Sequence, residues 1–486
     1  MTRPALLGID LGTSGVKAVL LGTEGNVLAE AASSYPVDTP RPGWAETDPG
    51  AWWQAVVTAV RSARARAVDA EVQAVGVDGQ MHGLVLADAD GQPLRPAMLW
   101  ADTRAMGEIP AWRRLPEARQ AALANPLVPG MTGPLLRWVW RQEPEVYRQA
   151  RWALLPKDWI RHRLTGTIAT DPSDASATLL WDVPADRWAG DVATDVGLHP
   201  ELLPPVTDSG DRAGSMLADA AATLGLGAGL PVAAGAADTA AALLATGLTD
   251  PHDVQLSVGT GGQLVRPVLH PDPAAAPRTH LYRAAAPNRW YAMAAIQNAG
   301  LALDWARRTL RADWNELYGS ADASRPGAEG LTFVPYLSGE RTPVLRSDVR
   351  GGWLGLGLST DRTTLLQAAV EGVAFAIRHA LEVLPGPRPN QMRLVGGGAL
   401  HPRFRMVLAD VLRLQLRLIE VRSASAIGAA LLAAQAAGIK PPDVPLQLGG
   451  VVHPSDRSAA YDQAFNRYRR RAELLAAEAP AESASR

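Results

Sequence analysis

Near the start of the chain, apolar residues come in short runs broken at regular places. Leu6 to Ile9 is apolar, Asp10-Leu11-Gly12-Thr13-Ser14-Gly15 interrupts, and Val16 to Leu21 is apolar again. Gly22 to Asn26 is turn-like and Val27 to Ala29 resumes an extended pattern. Such runs between Gly/Thr/Asn clusters predict strand, tight turn, strand, hairpin turn, strand. A Walker-A loop or a Rossmann fingerprint joins a strand to a helix instead, and neither spacing is present. A hairpin tip can still hold phosphate, because its backbone N–H groups and hydroxyls converge on one point.

The same device returns half a chain later. Val254 to Ser257 leads into Val258-Gly259-Thr260-Gly261-Gly262 and then Gln263-Leu264-Val265. Aligning Asp10 with Ser257 superposes Leu-Gly-Thr-Ser-Gly on Val-Gly-Thr-Gly-Gly. Each half also has a second glycine junction. Leu230 to Ala234 reads as a buried strand broken at Gly235, with Asp238-Thr239 ahead of the helix-forming Ala240 to Ala245. Met392 to Val395 enters Gly396-Gly397-Gly398 and the amphipathic Phe404 to Leu412. A strand feeding a helix through glycines leaves N–H groups free for an anion. The pattern predicts a duplicated α/β domain, with residues 1–248 as the first half, 249–474 as the second and 475–486 as a frayed tail.

Composition narrows the function. The chain has 486 residues, long enough for two cores, with 47% hydrophobic and 20% charged residues. Its net charge of -2 and lack of a basic stripe argue against a nucleic-acid partner. With no cysteine, disulfides, thiolate catalysis and cysteine-ligated metals are excluded, and a cytoplasmic home fits. No signal peptide is expected, since Ala5 to Leu11 already contains Gly8 and Asp10. No membrane span is expected either: the longest apolar stretch, Leu230 to Leu248, is broken by Asp238. The fifteen tryptophans read first as core residues with a satisfied N–H. Lys17, Lys157 and Lys440 are the only lysines among 47 basic residues, which mildly favours special roles for Lys17 and Lys157.

Six stretches taken together resemble the FGGY carbohydrate kinases, the glycerol kinase and xylulokinase group. They are Gly8-Ile9-Asp10-Leu11-Gly12-Thr13-Ser14-Gly15-Val16-Lys17, Gly79-Gln80-Met81-His82-Gly83, Leu155-Pro156-Lys157-Asp158, the run from Pro335 to Pro343, Glu371-Gly372-Val373 and Gly396-Gly397-Gly398-Ala399. The Gln-Met-His-Gly stretch is similar to the xylulokinase branch. The resemblance covers nearly the whole chain. It implies two actin-like (ribonuclease H-like) ATPase domains with a central cleft, and ATP-dependent phosphorylation of a ketopentose, with D-xylulose expected. L-xylulose, ribulose and glycerol are the alternatives within that chemistry.

The resemblance also implies roles. Asp238 looks like the general base that takes the proton from the sugar hydroxyl, and Asp10 like the carboxylate that positions Mg²⁺. Met81 and His82 look like the pair holding the sugar, with Trp100, Arg104 and Thr239 nearby. Gly12, Thr13, Ser14, Lys17, Gly259, Thr260, Gly261, Gly396, Gly397, Gly398 and Ala399 would hold ATP. ATP would lie along the second half and sugar chiefly on the first, with domain closure joining them. A homodimer is common in such kinases; neither nucleic acid nor membrane is implied as a partner.

Plainer readings stand beside these. Asp238 also suits a helix N-cap and Asp10 a turn of its own. Against the latter, a carboxylate at a phosphate turn would repel nucleotide unless a cation such as Mg²⁺ intervened. His82 fits the site better as a packed residue than as an acid or base. Trp100, Asp102 and Arg104 read equally well as a salt-bridged turn, Thr170 to Asp174 as a helix start, and Glu340-Arg341 as an exposed ion pair. Two positions depart from the family. Thr239 stands where asparagine is common and lacks its two-ended amide, and Asp78 adds a charge where a small neutral residue is expected. A chaperone-type ATPase would need a further peptide-binding domain, and a filament protein would show no sugar dependence.

Overall fold

The computed structural model of the chain describes residues 2–274, 276–321, 325–396 and 401–478. The opening runs form β1 (Arg3–Leu11), β2 (Gly15–Gly22) and β3 (Val27–Ser34), paired antiparallel in that order. Helix α1 (Pro49–Arg66) begins after Asp48, whose carboxylate accepts from Gly50 N, and leads to β4 (Ala70–Gly79), parallel to β1. After shorter elements come α2 (Pro156–Thr165) and α3 (Pro172–Ala175), then β5 (Arg212–Ser215), β6 (Pro231–Ala233) and β7 (Ala236–Ala237). The sheet runs β5-β6-β4-β1-β2-β3, with β7 also on β4. Helix α4 (Asp238–Thr246) closes the half at Gly247, whose φ of 58° is the left-handed stop that glycine adopts without strain.

The second half repeats this plan. Strands β8 (Asp253–Val258), β9 (Gly262–Val268), β10 (His280–Arg283), β11 (Trp290–Ile296), β12 (Gln391–Val395), β13 (Gln415–Glu420) and β14 (Gln447–Val452) form a sheet ordered β10-β11-β9-β8-β12-β13-β14. From β8 outward, one side is antiparallel (β9, β11) and the other parallel (β12, β13), ending on an antiparallel edge strand. From β1 the first sheet has the same sequence of orientations: β2 and β3 antiparallel, β4 and β6 parallel, β5 antiparallel. The duplication read from two hairpins therefore extends over both sheets. Helix α5 (Arg362–Val383) packs beneath the second sheet through Leu366, Val370, Val373 and Ile377.

Helix α6 (Ala424–Ala436) crosses the division by sequence. It belongs to the second half yet packs on β1, β4 and α4 of the first. The fit is backbone to backbone. A Cβ on Gly8 would lie 1.8 Å from Ala426 O, one on Gly76 1.9 Å from Ala429 O, and one on Gly428 1.9 Å from Ala241 O. Closing Ile427 and Leu432 between the layers contributes about 1.5–3 kcal/mol each.

Helix α7 (Ser458–Glu478) buries Tyr461, Phe465, Tyr468 and Ala472 at helical spacing on one face. Residues 475–478, given to a frayed tail by the sequence, are thus its last turn. Residues 479–486 lie outside the described residues. Among the described residues no helix is long and apolar enough to cross a membrane.

Candidate active site

Asp10 sits at the end of β1, with Lys17 as its cross-strand partner on β2 and Asp78 on β4. Beyond it the turn closes by Gly12 N donating to Gly15 O at 3.0 Å. Two aromatic side chains fix this turn. The Tyr35 hydroxyl donates to Gly12 O, and Trp100 Nε1 donates to Thr13 Oγ1 at 2.9 Å. Gly12 and Thr13 stay partly exposed, and Ser14 and Lys17 are exposed. In the second turn Gly259 N donates to Gly261 O at 2.9 Å, while Gly300 N and Leu301 N bind the carbonyls of Gly259 and Thr260. Those carbonyls are thereby tied inward, and Gly259 and Thr260 remain exposed.

Asp238 is the first residue of α4, delivered by β7. Thr239 N (2.5 Å) and Thr239 Oγ1 (3.1 Å) both donate to its Oδ1, which leaves Oδ2 open to a ligand. Burial, followed by the charge of Asp10, raises its pKa to about 6. Asp238 and Thr239 line a cavity of about 280 Å³ whose other walls are Ser257 and Gln263 from the second hairpin, Gly396, and Ser425 of α6. The cavity joins the two halves. Gly397, Gly398 and Ala399 lie outside the described residues.

Asp78, the unexpected charge, is fully buried between Asp10 and β7, and its nearest polar side chain is the Asp10 carboxyl. Burial first, then the charges of Asp10 and Asp238, push its pKa well above the usual carboxylate value. Burial likewise raises Asp10, against the opposing charge of Lys17. The donor set suits Mg²⁺ that arrives with a nucleotide. Asp10 adjoins the turn, and Asp238, with a pKa of about 6, adds negative charge at neutral pH for a cation to offset. Among the described residues no three His, Cys, Asp or Glu side chains are grouped to hold a metal by themselves. Mg²⁺ commonly takes one or two carboxylates and completes its shell with phosphate oxygens and water.

Met81 is buried with Tyr291 Oη donating to its sulfur at 3.7 Å. His82 has a φ of 65°, and its Nδ1 donates to Ala177 O at 2.6 Å. Burial lowers its pKa to about 4, which leaves a neutral ring to pack or donate rather than to carry charge. Tyr282 and Tyr291, which close this region, come from β10 and β11, so its wall is built by both halves.

Two sequence expectations are corrected here. Arg104 is not a sugar contact: its side chain is 1% exposed, its Nη2 donates to Asp102 Oδ2 at 2.7 Å, its Nη1 pairs with Glu46 Oε1 at 2.8 Å, and its guanidinium lies 3.5 Å from the Trp44 ring centroid. The salt-bridged turn describes it. Glu340-Arg341 is not an exposed ion pair. Glu340 is buried, accepts from Gln297 N (2.6 Å), Arg341 N (2.8 Å) and Asn298 Nδ2, and is raised by burial to about 7. The Arg341 guanidinium instead lies 5.1 Å from the Trp100 ring centroid. That places a second-half cation beside the first-half residue bonded to Thr13. Its only signal in the sequence was membership of the Pro335 to Pro343 stretch.

Lys157 also resolves. Its ammonium is fully buried beneath Gly79 and Gly235, 2.6 Å from Asp158 Oδ1, 2.9 Å from Asp171 Oδ1 and 3.1 Å from Asp174 Oδ2. Burial works against its charge, but the three aspartates outweigh it and hold the pKa above the usual lysine value. Glu371 caps Gly327 N, and a Cβ on Gly372 would meet Phe333 O at 2.2 Å, so that motif serves packing.

Known proteins agree with this architecture. Residues 5–245 match the N-terminal domain and residues 254–437 the C-terminal domain of the FGGY family of carbohydrate kinases. The xylulose kinase of Escherichia coli (strain K12) is 37% identical over 439 residues, 89% of each chain. Among solved structures, a xyloylose kinase from Brucella ovis is 35% identical, with a TM-score of 0.89 over 97% of this chain and 99% of that one. A gluconate kinase from Lactobacillus acidophilus is 25% identical, with a TM-score of 0.92 over 98% and 99%. The chain belongs to the FGGY family of carbohydrate kinases and phosphorylates a sugar with ATP as co-substrate.

Proposed function

We propose that the chain phosphorylates D-xylulose to D-xylulose 5-phosphate, with Asp238 as general base. The carrying observation is the open Oδ2 of Asp238 at a cavity shared with Ser257 and Gly396 of the second half. A sugar hydroxyl at that oxygen gives its proton to Asp238 as its oxygen attacks the γ-phosphorus. The new O–P bond forms while the bond to the departing ADP breaks. A pKa of about 6 leaves Asp238 mostly ionised at neutral pH, and the loose transition state of phosphoryl transfer asks little of the base beyond position.

The exposed turns at Gly12-Thr13-Ser14 and Gly259-Thr260, with Lys17, are the groups available to the phosphates. Asp10 would hold Mg²⁺, which neutralises phosphate charge when bound. Met81, the ring of His82 and Trp100 form the sugar side, and Arg341 supplies a cation over Trp100. Xylulose is favoured over other sugars by the Gly79-Gln80-Met81-His82-Gly83 stretch and by the xylulose kinase relatives.

A coupled ADP-release assay over D-xylulose, L-xylulose, D-ribulose, glycerol and gluconate tests the substrate. D-xylulose should give the highest kcat/KM, and a higher value for any other compound replaces it. Asp238→Ala tests the base: it should fold and bind ATP yet lose about 10²- to 10⁴-fold in kcat. Near-normal turnover by that variant would refute the assignment.

A further inference from the structure

The turn that delivers Asp238 is held at each step by buried polar groups. Ala234 O accepts from Arg161 Nη1 at 2.8 Å, Gly235 N donates to Ser209 O at 3.0 Å, and Ala237 N donates to Ser173 Oγ at 2.9 Å. These holders converge. Ser173 Oγ donates to Asp171 Oδ2 at 2.5 Å, Ser209 Oγ donates to the same oxygen at 2.7 Å, and Asp171 Oδ1 lies 2.9 Å from Lys157 Nζ. Lys157 and Arg161 share Asp158 Oδ1. Lys157, Asp158, Arg161, Asp171 and Ser173 are all 0% exposed, so none can touch a substrate.

A helix cap alone does not explain this. Asp171 does cap α3 by accepting from Ser173 N at 2.9 Å. A four-residue helix needs no lysine beneath its cap, and no cap requires the next hydroxyl to reach Ala237 N. The segment also continues to Ala177 O, which accepts from His82 Nδ1. One short stretch thus braces the aspartate's turn and the sugar-side histidine together.

We infer that Ser173, anchored through Asp171 to Lys157, is a positioning residue that fixes Asp238 for the phosphoryl-acceptor step. The inference rests on the reading of Asp238 as base. Its physical warrant is that a misplacement of about 1 Å at a reacting group costs up to about 100-fold in rate.

Ser173→Ala is a mild test, because Asp171 Oδ2 keeps Ser209 Oγ and Ser173 N as donors. With ATP and D-xylulose, kcat should fall about 10- to 100-fold while the sugar KM stays within about two-fold. Amide exchange in a peptide covering residues 234–239 should quicken. On an Asp238→Asn background, Ser173→Ala should change the residual rate by less than about two-fold, since both act through one carboxylate. Parent-like kcat in Ser173→Ala, or an undiminished loss on the Asp238→Asn background, overturns the inference. If Ser173→Ala does not fold, Ser173→Cys, with a thiol that accepts only weakly, is judged by the same criteria. Near-normal turnover by Asp238→Asn alone would remove the base reading itself. An inactive Asp238→Asn beside a normal Ser173→Ala removes only the positioning role.

Discussion

The two hairpins have one scaffold and opposite chemistry. In the first, Asp10 is paired across the strands with Lys17 and Asp78. In the second, Ser257 takes the place of Asp10, with Gln263 and Val395 as its partners. Every ionisable position of the first set is neutral in the second. Asp238 sharpens the contrast, because α6, the second half's nearest counterpart to α4, opens on Ala424-Ser425. A phosphate chain is repelled by bare carboxylates and welcomed by backbone N–H groups. On the proposed roles, proton and cation handling would fall to the first hairpin and Asp238, and the second hairpin would be left uncharged for the nucleotide.

The contrast can be broken from either side. Asp10→Ser converts the first hairpin to the second's chemistry and should cost about a thousand-fold in kcat, read in a Mg²⁺ titration at saturating ATP. Ser257→Asp does the reverse. Its carboxylate should raise the KM for ATP about ten-fold with little change in the sugar KM. Thr239→Asn removes the hydroxyl on Asp238 Oδ1 and supplies an amide, so kcat/KM values across the ketose panel should reorder by about five-fold.

The smallest effect is in pH. As the proposed base Asp238 would act only when ionised, so kcat/KM should fall as pH drops below about 6. The same shift has a stability sign. Its folded pKa lies above the ordinary 3.8, so between those values the folded state holds a proton that the unfolded chain has lost. Raising pH through that window removes stability from the parent but not from Asp238→Asn. The variant's Tm advantage should open between pH 4 and 6.5 and then stay level.

Legibility followed sequence distance. The strand–turn–strand pattern and the Asp238 junction were readable because glycine, threonine and aspartate punctuate apolar runs within a dozen residues. The aspartates around Lys157 were not, since Asp158 is its neighbour but Asp171 and Asp174 return to it only through tertiary folding. Asp171 showed its cap role and hid its ion pair. Arg341 looked like half of a local pair because Glu340 adjoins it, yet the burial of Glu340 against backbone donors sends the guanidinium to Trp100. Arg104 shows the converse: its local pair with Asp102 could be read, but its ion pair with Glu46, far along the chain, could not. The placement of α6 left no mark beyond small residues, which many buried helices share.

That seam of Gly8, Gly76 and Gly428 fixes how closely α6 lies on the first sheet and on α4. Main-chain atoms in direct contact have no side chain to yield, so helix and sheet cannot separate there without opening a void. The helix is thus bound to the first half through carbonyl groups, although its sequence lies in the second. A single methyl at position 76 would have nowhere to go between strand and helix, felt as lost Tm.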